Sequence, residues 1–315
     1  MPSWLITLFP ALCMLVPCAA ILIYLQRQKM EDRKSPLVDD LLRLPGETLN
    51  ERFRDTVFDL CGVFAASMFV PAIGLLVLLN SWVDPARIKF GAVAIVSAIT
   101  IFGGIGWSLW KILKILRTIT TTKRGLEGEL ATAQLLTPLL AEGWQLFHDL
   151  PMKRSNIDHV LVGPTGVYAI ETKYRSKRLS LKGKEGAQAE YDGSSIRFAG
   201  GANEHLPVQQ AQAVAGELSK WLHDKLGEPV SVVPVVALPG WFVKTTQKPG
   251  NGQVYVINPK VHYLFQKRPA RVEQTIQIRV AAALRELAVR PAPGANQWPH
   301  PNTRSSGRDR VPSGG

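Results

Sequence analysis

Cysteine is scarce in this chain: 315 residues hold three, Cys13, Cys18 and Cys61, all within apolar stretches of the first third. The polar remainder has no thiol to pair, oxidise or bind zinc. That excludes a disulfide scaffold, a zinc ribbon and a cysteine nucleophile there, and suits a reducing compartment. Ionisable side chains are missing from the middle of every long apolar run, so the intramembrane charges on which pumps and channels depend are absent. No fixed-period repeat is present, which argues against a solenoid. A Walker loop, an H-E-x-x-H helix and a nucleophile elbow are also missing, and His148, His205, His223 and His262 stand at no metal-ligand spacing. Acids are outnumbered: 25 Asp and Glu against 37 Lys and Arg leave a formal net charge of +12. Such a surplus asks for an anionic partner, either nucleic-acid phosphate or acidic lipid headgroups.

Long hydrophobic runs are plentiful, and they are confined to the first third. Residues 4–25 carry no charge and, as a helix, are long enough to cross a hydrocarbon core about 30 Å thick. A cleaved signal peptide is the alternative. The stretch lacks a positive amino end and a small-residue cleavage pattern, and Val16-Pro17-Cys18 is a poor lipoprotein site, so an uncleaved anchor is expected. Residues 57–82 and 90–113 are two further apolar stretches of spanning length, joined by the short link Val83-Asp84-Pro85-Ala86-Arg87, and read as a membrane hairpin. Between the first two stretches lie Arg27, Lys29, Arg33, Lys34, Arg43, Arg52 and Arg54; the second link has only Arg87 and Lys89, and Lys114, Arg117, Lys123 and Arg124 follow the third. Basic loops stay on the cytoplasmic side. The expectation is a multi-pass protein of a bacterial inner membrane, N-terminus outside and carboxyl region cytoplasmic, with the lipid bilayer a partner through three helices. Gly62 with Ala66, and the cluster Gly103, Gly104 and Gly106, read as close helix packing, with a homo-oligomer contact as the alternative.

The chain thus divides into a transmembrane region over 1–116, a polar region over 117–290 and a Pro-, Gly-, Ser- and Arg-rich tail over 291–315 that reads as disordered. In the polar region a helix is expected from Leu126, with an apolar stripe of Leu126, Leu130, Ala133, Leu135, Leu136 and Leu139. Residues 144–150 read as a strand, 157–162 and 167–170 as two more, and 179–199 as an inserted hairpin turning at Asp192-Gly193, together an antiparallel meander. Pro207 opens a helix through Leu226; 230–238 is an apolar run read as a buried central strand, and 254–257 as an edge strand. Helices over 259–267 and 271–289 close the region. The order makes an α/β core with a mixed sheet flanked by helices.

The stretch Ile157-Asp158-His159-Val160-Leu161-Val162-Gly163-Pro164-Thr165-Gly166-Val167-Tyr168-Ala169-Ile170-Glu171-Thr172-Lys173 carries the chemistry. If the hairpin closes symmetrically on Pro164-Thr165, Asp158 falls directly across from Glu171, and alternation puts Lys173 on the face of Glu171. Carboxylates so placed sit about 5 Å apart at Cβ and destabilise a sheet unless a cation lies between them. Hard oxygens suit Mg²⁺ or Mn²⁺. Pro164 also fits a type I turn with Gly166 as the left-handed residue of a bulged three-residue loop, a register that would move Asp158 off the face of Glu171. His159, on the opposite strand face, reads as packing or capping.

Asp158, a short turn and Glu171-Thr172-Lys173 resemble the PD-(D/E)XK nuclease signature, and the wording around them is similar to the nuclease-related domain, NERD. Gly125-Leu126-Glu127-Gly128-Glu129 resembles that family's G-x-x-G-E, and Pro207-Val208-Gln209-Gln210 its N-P-x-x-Q helix start, with Leu206 in place of the asparagine. The resemblance implies a restriction-endonuclease-like fold and a metal-dependent phosphodiester hydrolase acting on DNA. On that pattern Asp158, Glu171 and the Thr172 carbonyl hold the metal, and Lys173 positions water and stabilises charge on the phosphorane. Glu129 supports the metal site, its alternative being a solvated first-turn glutamate; Gln210 touches site or substrate, its alternative being a plain surface amide. Lys173, Arg175, Lys177, Arg178, Lys182 and Lys184 form a basic run beside the acids. That run fits phosphate backbone, with anionic lipid as its rival. A non-catalytic nucleic-acid- or partner-binding module tethered to the membrane is the second functional class.

Overall fold

The computed structural model describes residues 41–82, 92–153, 155–178, 180, 183–246, 254–268 and 272–289. The expected first span at 4–25 and the tail from 291 lie outside them.

Two long helices lead. Helix α1 (Glu47–Trp82) and helix α2 (Ala92–Leu136) pack side by side. Both are long and apolar enough to cross a membrane. Their large apolar residues point outward: Phe58, Phe64, Ile73, Ile99, Phe102, Leu109 and Trp110 are all exposed. The apolar part of α2 ends near Leu116, and its last twenty or so residues, roughly 30 Å of helix, lie in the polar region of the chain. Helix α2 therefore runs unbroken from the second apolar stretch into what the sequence reads as a separate helix from Leu126. The close approach between the two helices is at Gly74, where a Cβ would lie 2.8 Å from Ile101 Cγ1. At Gly62, Gly103 and Gly106 a Cβ would meet nothing within 4 Å among the described residues, so these three make no close contact between α1 and α2.

The stripe on α2 also differs in phase. Gly128, Glu129, Thr132, Ala133 and Leu136 are buried, while Leu130 is 41% exposed. Helix α2 starts at Ala92, so Glu129 is not in a first turn and has no helix N-terminus to favour it.

A tight turn around Pro138 ends at Gly143 and delivers the chain to β1 (Gln145–Leu150), β2 (Ile157–Gly163) and β3 (Gly166–Thr172). These pair antiparallel in sequence, and β7 (Val232–Ala237) and β9 (Tyr255–Ile257) then add parallel to give the order β1-β2-β3-β7-β9. β7 is the buried strand that its apolar run predicts, and β9 is the edge. The sheet buries both faces. On one, Val160, Val162, Val167 and Ala169 meet α3 (Leu206–Leu226) through Val214, Leu218 and Leu222 and α5 (Gln274–Ala288) through Val280 and Leu284. On the other, Leu161, Tyr168, Ile170 and Val235 meet Leu136 and Leu139 at the end of α2, Trp144, and Phe265 of the short α4 (Tyr263–Gln266).

The inserted hairpin does not extend this sheet as a meander. β4 (Gln188–Tyr191) pairs antiparallel with β5 (Ile196–Phe198) and parallel with β8 (Phe242–Thr245), a strand missed in the sequence, and β6 (Asn203–Glu204) completes a second sheet ordered β6-β5-β4-β8. Its core, around Tyr191, Ile196, Phe198 and Trp241, is shared with Val208 and Ala211 of α3 and with Val236 and Val256 of the first sheet. The turn is where Asp192-Gly193 places it, with Asp192 accepting from the backbone of Ser194 and Ser195. Both sheets are mixed, and the fold is α/β.

Gly163 closes β2 flat against the indole of Trp144, where a Cβ would lie 2.1 Å from Cε3. Gly163→Ala is expected to destabilise the fold by about 1–3 kcal/mol through overpacking. Pairing it with Trp144→Leu is expected to cost less than the two separate losses together. Denaturant unfolding of the four proteins checks this, and strict additivity would refute the contact.

Candidate active site

The two strands of the central hairpin pair with residue numbers that keep a constant sum, from His159↔Ile170 to Gly163↔Gly166. The loop is therefore the two-residue Pro164-Thr165 turn. It is anchored by Thr165 Oγ1, which lies 2.7 Å from Tyr168 Oη and donates to the Phe265 carbonyl. The pairing stops at His159↔Ile170, and beyond it the Asp158 side chain meets the β3 backbone. Thr172 N–H donates to Asp158 Oδ2 at 2.7 Å, and Lys173 Nζ donates to Glu171 Oε1 at 2.6 Å. Lys173 N–H in turn donates to the Ala237 carbonyl, which holds the residue just past the strand end in line with β7.

Glu129 joins these groups from α2. Gly128 permits it, because a Cβ there would lie 3.2 Å from Tyr174 Cβ and 3.4 Å from Thr172 Cγ2. Buried to 7% exposure, Glu129 has its pKa pushed up to about 7, first by burial, then by the charges of Asp149 and Glu171, with Lys173 and a hydrogen bond from the Gly46 N–H opposing. Asp158 is held well above the ordinary carboxylate range by burial, then by Glu171 and Glu129, and is relieved by the Thr172 N–H and by Lys173. These acids act on one another as neighbours.

A fourth acid, Asp149, was missed. β1 pairs with β2 through His148↔His159 and Leu150↔Ile157, which brackets Asp149 at the level of Asp158. The acids thus fall in a row across three strands. Asp149 adopts φ 48°, a left-handed conformation, and its buried carboxylate accepts from Arg43, Thr48 and Asn156. Matching the apolar residues of 145–150 against β2 could have revealed the row. The part played by Arg43 and Thr48 has no local signal.

His159 is fully buried on the opposite side from the acids, its Nδ1 2.8 Å from Nδ1 of His148, the rings edge to face. Burial lowers the pKa of both, His148 to about 4. Two neutral rings sharing one hydrogen bond fill core space, as expected of His159. Gln210 is half-buried in the second turn of α3; among the described residues it has no hydrogen bond to the acids. The Thr172 hydroxyl is buried without a partner. The basic run is partly engaged: Arg175 pairs with Glu204 at 2.6 Å, and Lys177 lies 5.9 Å over the Trp241 ring.

Among the described residues no three His, Cys, Asp or Glu side chains converge as a ready metal cage. What is present is a set of hard oxygen donors. Asp158 and Glu171 each commit one oxygen to a hydrogen bond within the protein, which leaves each a second carboxylate oxygen. That donor set fits a magnesium-type ion held partly by water or substrate oxygens. The acids line neither of two cavities on the second sheet, the larger about 590 Å³ around Gln188, Glu190 and Arg197.

Glu129 supplies a pH test. Its folded pKa lies above the ordinary 4.5, so its contribution to stability is fully present below pH 4.5 and is lost as pH rises to about 7. Glu129→Gln is therefore expected to match the wild type at low pH and to exceed its stability by up to about 3 kcal/mol above pH 7. Melting curves across this window check it, and a difference independent of pH would refute the assignment.

Comparison with known proteins falls on this same segment. No curated protein and no solved structure matches the chain. Residues 124–239, from the turn of α2 before Glu129 to the end of β7, match the family model of the nuclease-related domain, NERD, and this supports a nuclease-like function, nucleic-acid binding and divalent-metal use in general.

Proposed function

We propose that the protein is a membrane-anchored, metal-dependent nuclease that hydrolyses DNA phosphodiesters at the cytoplasmic face, with a restriction-endonuclease-like fold around the five-stranded sheet. The observation that carries this reading is the Asp158 carboxylate held 2.7 Å from the Thr172 N–H, next to Glu171 with the Lys173 ammonium 2.6 Å from it, inside the segment that matches a nuclease-related domain. Asp158, Glu171 and the Thr172 carbonyl would hold Mg²⁺ or Mn²⁺, which when bound supplies Lewis-acid activation of phosphate and water. Lys173 keeps Glu171 oriented and brings positive charge to where the phosphorane becomes more negative. Glu129, with a pKa near 7, carries a proton part of the time at neutral pH and is suited to exchange one with the attacking water or the leaving oxygen. Gln210 offers an amide to the substrate backbone. The basic residues beyond Lys173 add sequence-independent attraction that weakens with salt.

For anchoring, α1 and α2 supply the apolar hairpin and 4–25 a third span. Trp107 and Trp110 are exposed, and Lys114 Nζ lies 5.4 Å over the Trp110 ring, a pairing suited to the headgroup layer. One observation favours the second reading, a non-catalytic module: Lys173 already compensates Glu171, so that pair is stable without a metal.

Plasmid nicking by the full chain in detergent, with Mg²⁺ or Mn²⁺, separates the two. Wild-type activity that falls by about 100-fold or more in Glu171→Ala and in Lys173→Ala is the expected result. Equal activity in all three, or none in any, would leave only the binding module.

A further inference from the structure

We propose that Arg43 is a positioning residue for the acid site and that residues 42–48, just ahead of the first described helix, are part of that site. This deepens the nuclease reading and rests on it. The segment is fixed from several sides. Leu42 bridges Val289 and the Arg43 N–H donates to the Ala288 carbonyl, which ties it to the end of α5. The Arg43 guanidinium donates to Asp149 Oδ2 from Nε at 3.2 Å and from Nη2 at 2.8 Å, and Nη2 also reaches Thr48 Oγ1 at 3.0 Å. Thr48 gives the same Oδ2 its N–H at 2.9 Å and its hydroxyl at 2.7 Å. Asn156 Nδ2 donates to Asp149 Oδ1 at 2.9 Å and to Thr48 Oγ1 at 2.7 Å. Five donors thus meet one buried carboxylate.

Three consequences follow. First, a non-glycine residue seldom adopts the left-handed region, and the five hydrogen bonds keep Asp149 there. Its charge is turned onto Arg43 and not along the strand row toward Asp158. Second, Asn156, two residues before Asp158, is held by Asp149 and Thr48, which fixes how the chain enters β2. Third, Asp149 satisfies the N–H of Thr48, in the first turn of α1, so the helix that enters the apolar hairpin begins on a strand of the site. Gly46 adds a further tie through its N–H to Glu129; its φ of 71° disfavours any other residue, and a Cβ there would lie 2.2 Å from Leu126 Cδ1 and push that side chain aside. Arg43 thus acts on the chemistry through Asp149 and Asn156, without touching substrate.

The test uses the full chain in detergent and compares wild type, Arg43→Met, Arg43→Lys and Arg43→Met/Asp149→Asn. Nicking kinetics, melting temperature and hydrogen–deuterium exchange are measured on each. A displaced acid costs about 10- to 100-fold, so Arg43→Met is expected to lower kcat by that factor with KM for plasmid within about twofold. Exchange should rise at 156–162 and 171–174 as well as at 42–50. Arg43→Lys keeps the charge without the two-nitrogen fork and should fall between. The double variant, with no uncompensated carboxylate, should recover much of kcat and of the protection. Loss of stability without recovery in the double variant, or altered exchange confined to 42–50, would overturn the proposal. If Arg43→Met does not fold, Arg43→Lys against wild type decides by the same criteria. Should the wild type show no nicking, the nuclease reading fails; the exchange pattern still tells whether Arg43 positions the acids.

Discussion

Like charge at one level of a sheet is the constraint on which this structure turns. Asp149, Asp158 and Glu171 come from the adjacent strands β1, β2 and β3, and Glu129 approaches from α2. Two carboxylates about 5 Å apart repel by about 3 kcal/mol at an effective dielectric near 20, so a row of them closes only if each is compensated. Each uses a different device. Asp149 takes an arginine fork and leaves the strand geometry, Asp158 takes a backbone N–H and holds its proton more tightly, and Glu171 takes the lysine two residues on. Much of the rest follows from these needs. Helix α2 must carry glycine at 128 to bring Glu129 in, and 42–48 must fold back to deliver Arg43. The strand ends need β7 beside them so that Lys173 has a carbonyl to hang on.

The legible parts of the fold were those set by local chemistry. Pro164-Thr165 between two β-branched runs determines the turn, and from the turn the pairing from Gly163↔Gly166 to His159↔Ile170 follows by counting. The apolar run at 232–237 has no polar alternation and can only be a strand covered on both faces. Pro207 near the start of α3 and Gly227 at its end mark that helix with the usual asymmetry. What escaped depended on distant partners. β8 is four residues with exposed side chains and becomes a strand only because β4 offers it an edge. Glu129 kept two readings in the sequence, support of the metal site and a solvated first turn, because its stripe was phased on Leu130, whereas the close pass of Thr172 and Tyr174 sets which side of α2 is buried. Arg43 lies 106 residues from Asp149, and no periodicity joins them.

The unbroken course of α2 bears on how an anchored nuclease would work. From Leu113, where the apolar stretch read from the sequence ends, to Glu129 the helix rises about 24 Å, with no hinge of proline between. A flexible linker would let a tethered domain sample many orientations. A continuous helix fixes both distance and direction, and α1 adds a second strut because its first turn is seated on Asp149. On the spanning reading, the acids therefore stand at a set height above the headgroups. The positive charges of Lys114, Arg117, Lys123 and Arg124 lie along the same stretch of α2, between its apolar part and Glu129. On the spanning reading, a phosphate chain drawn to those charges would be led along the helix toward the acids, whereas an anionic lipid would reach only the ones nearest the apolar stretch.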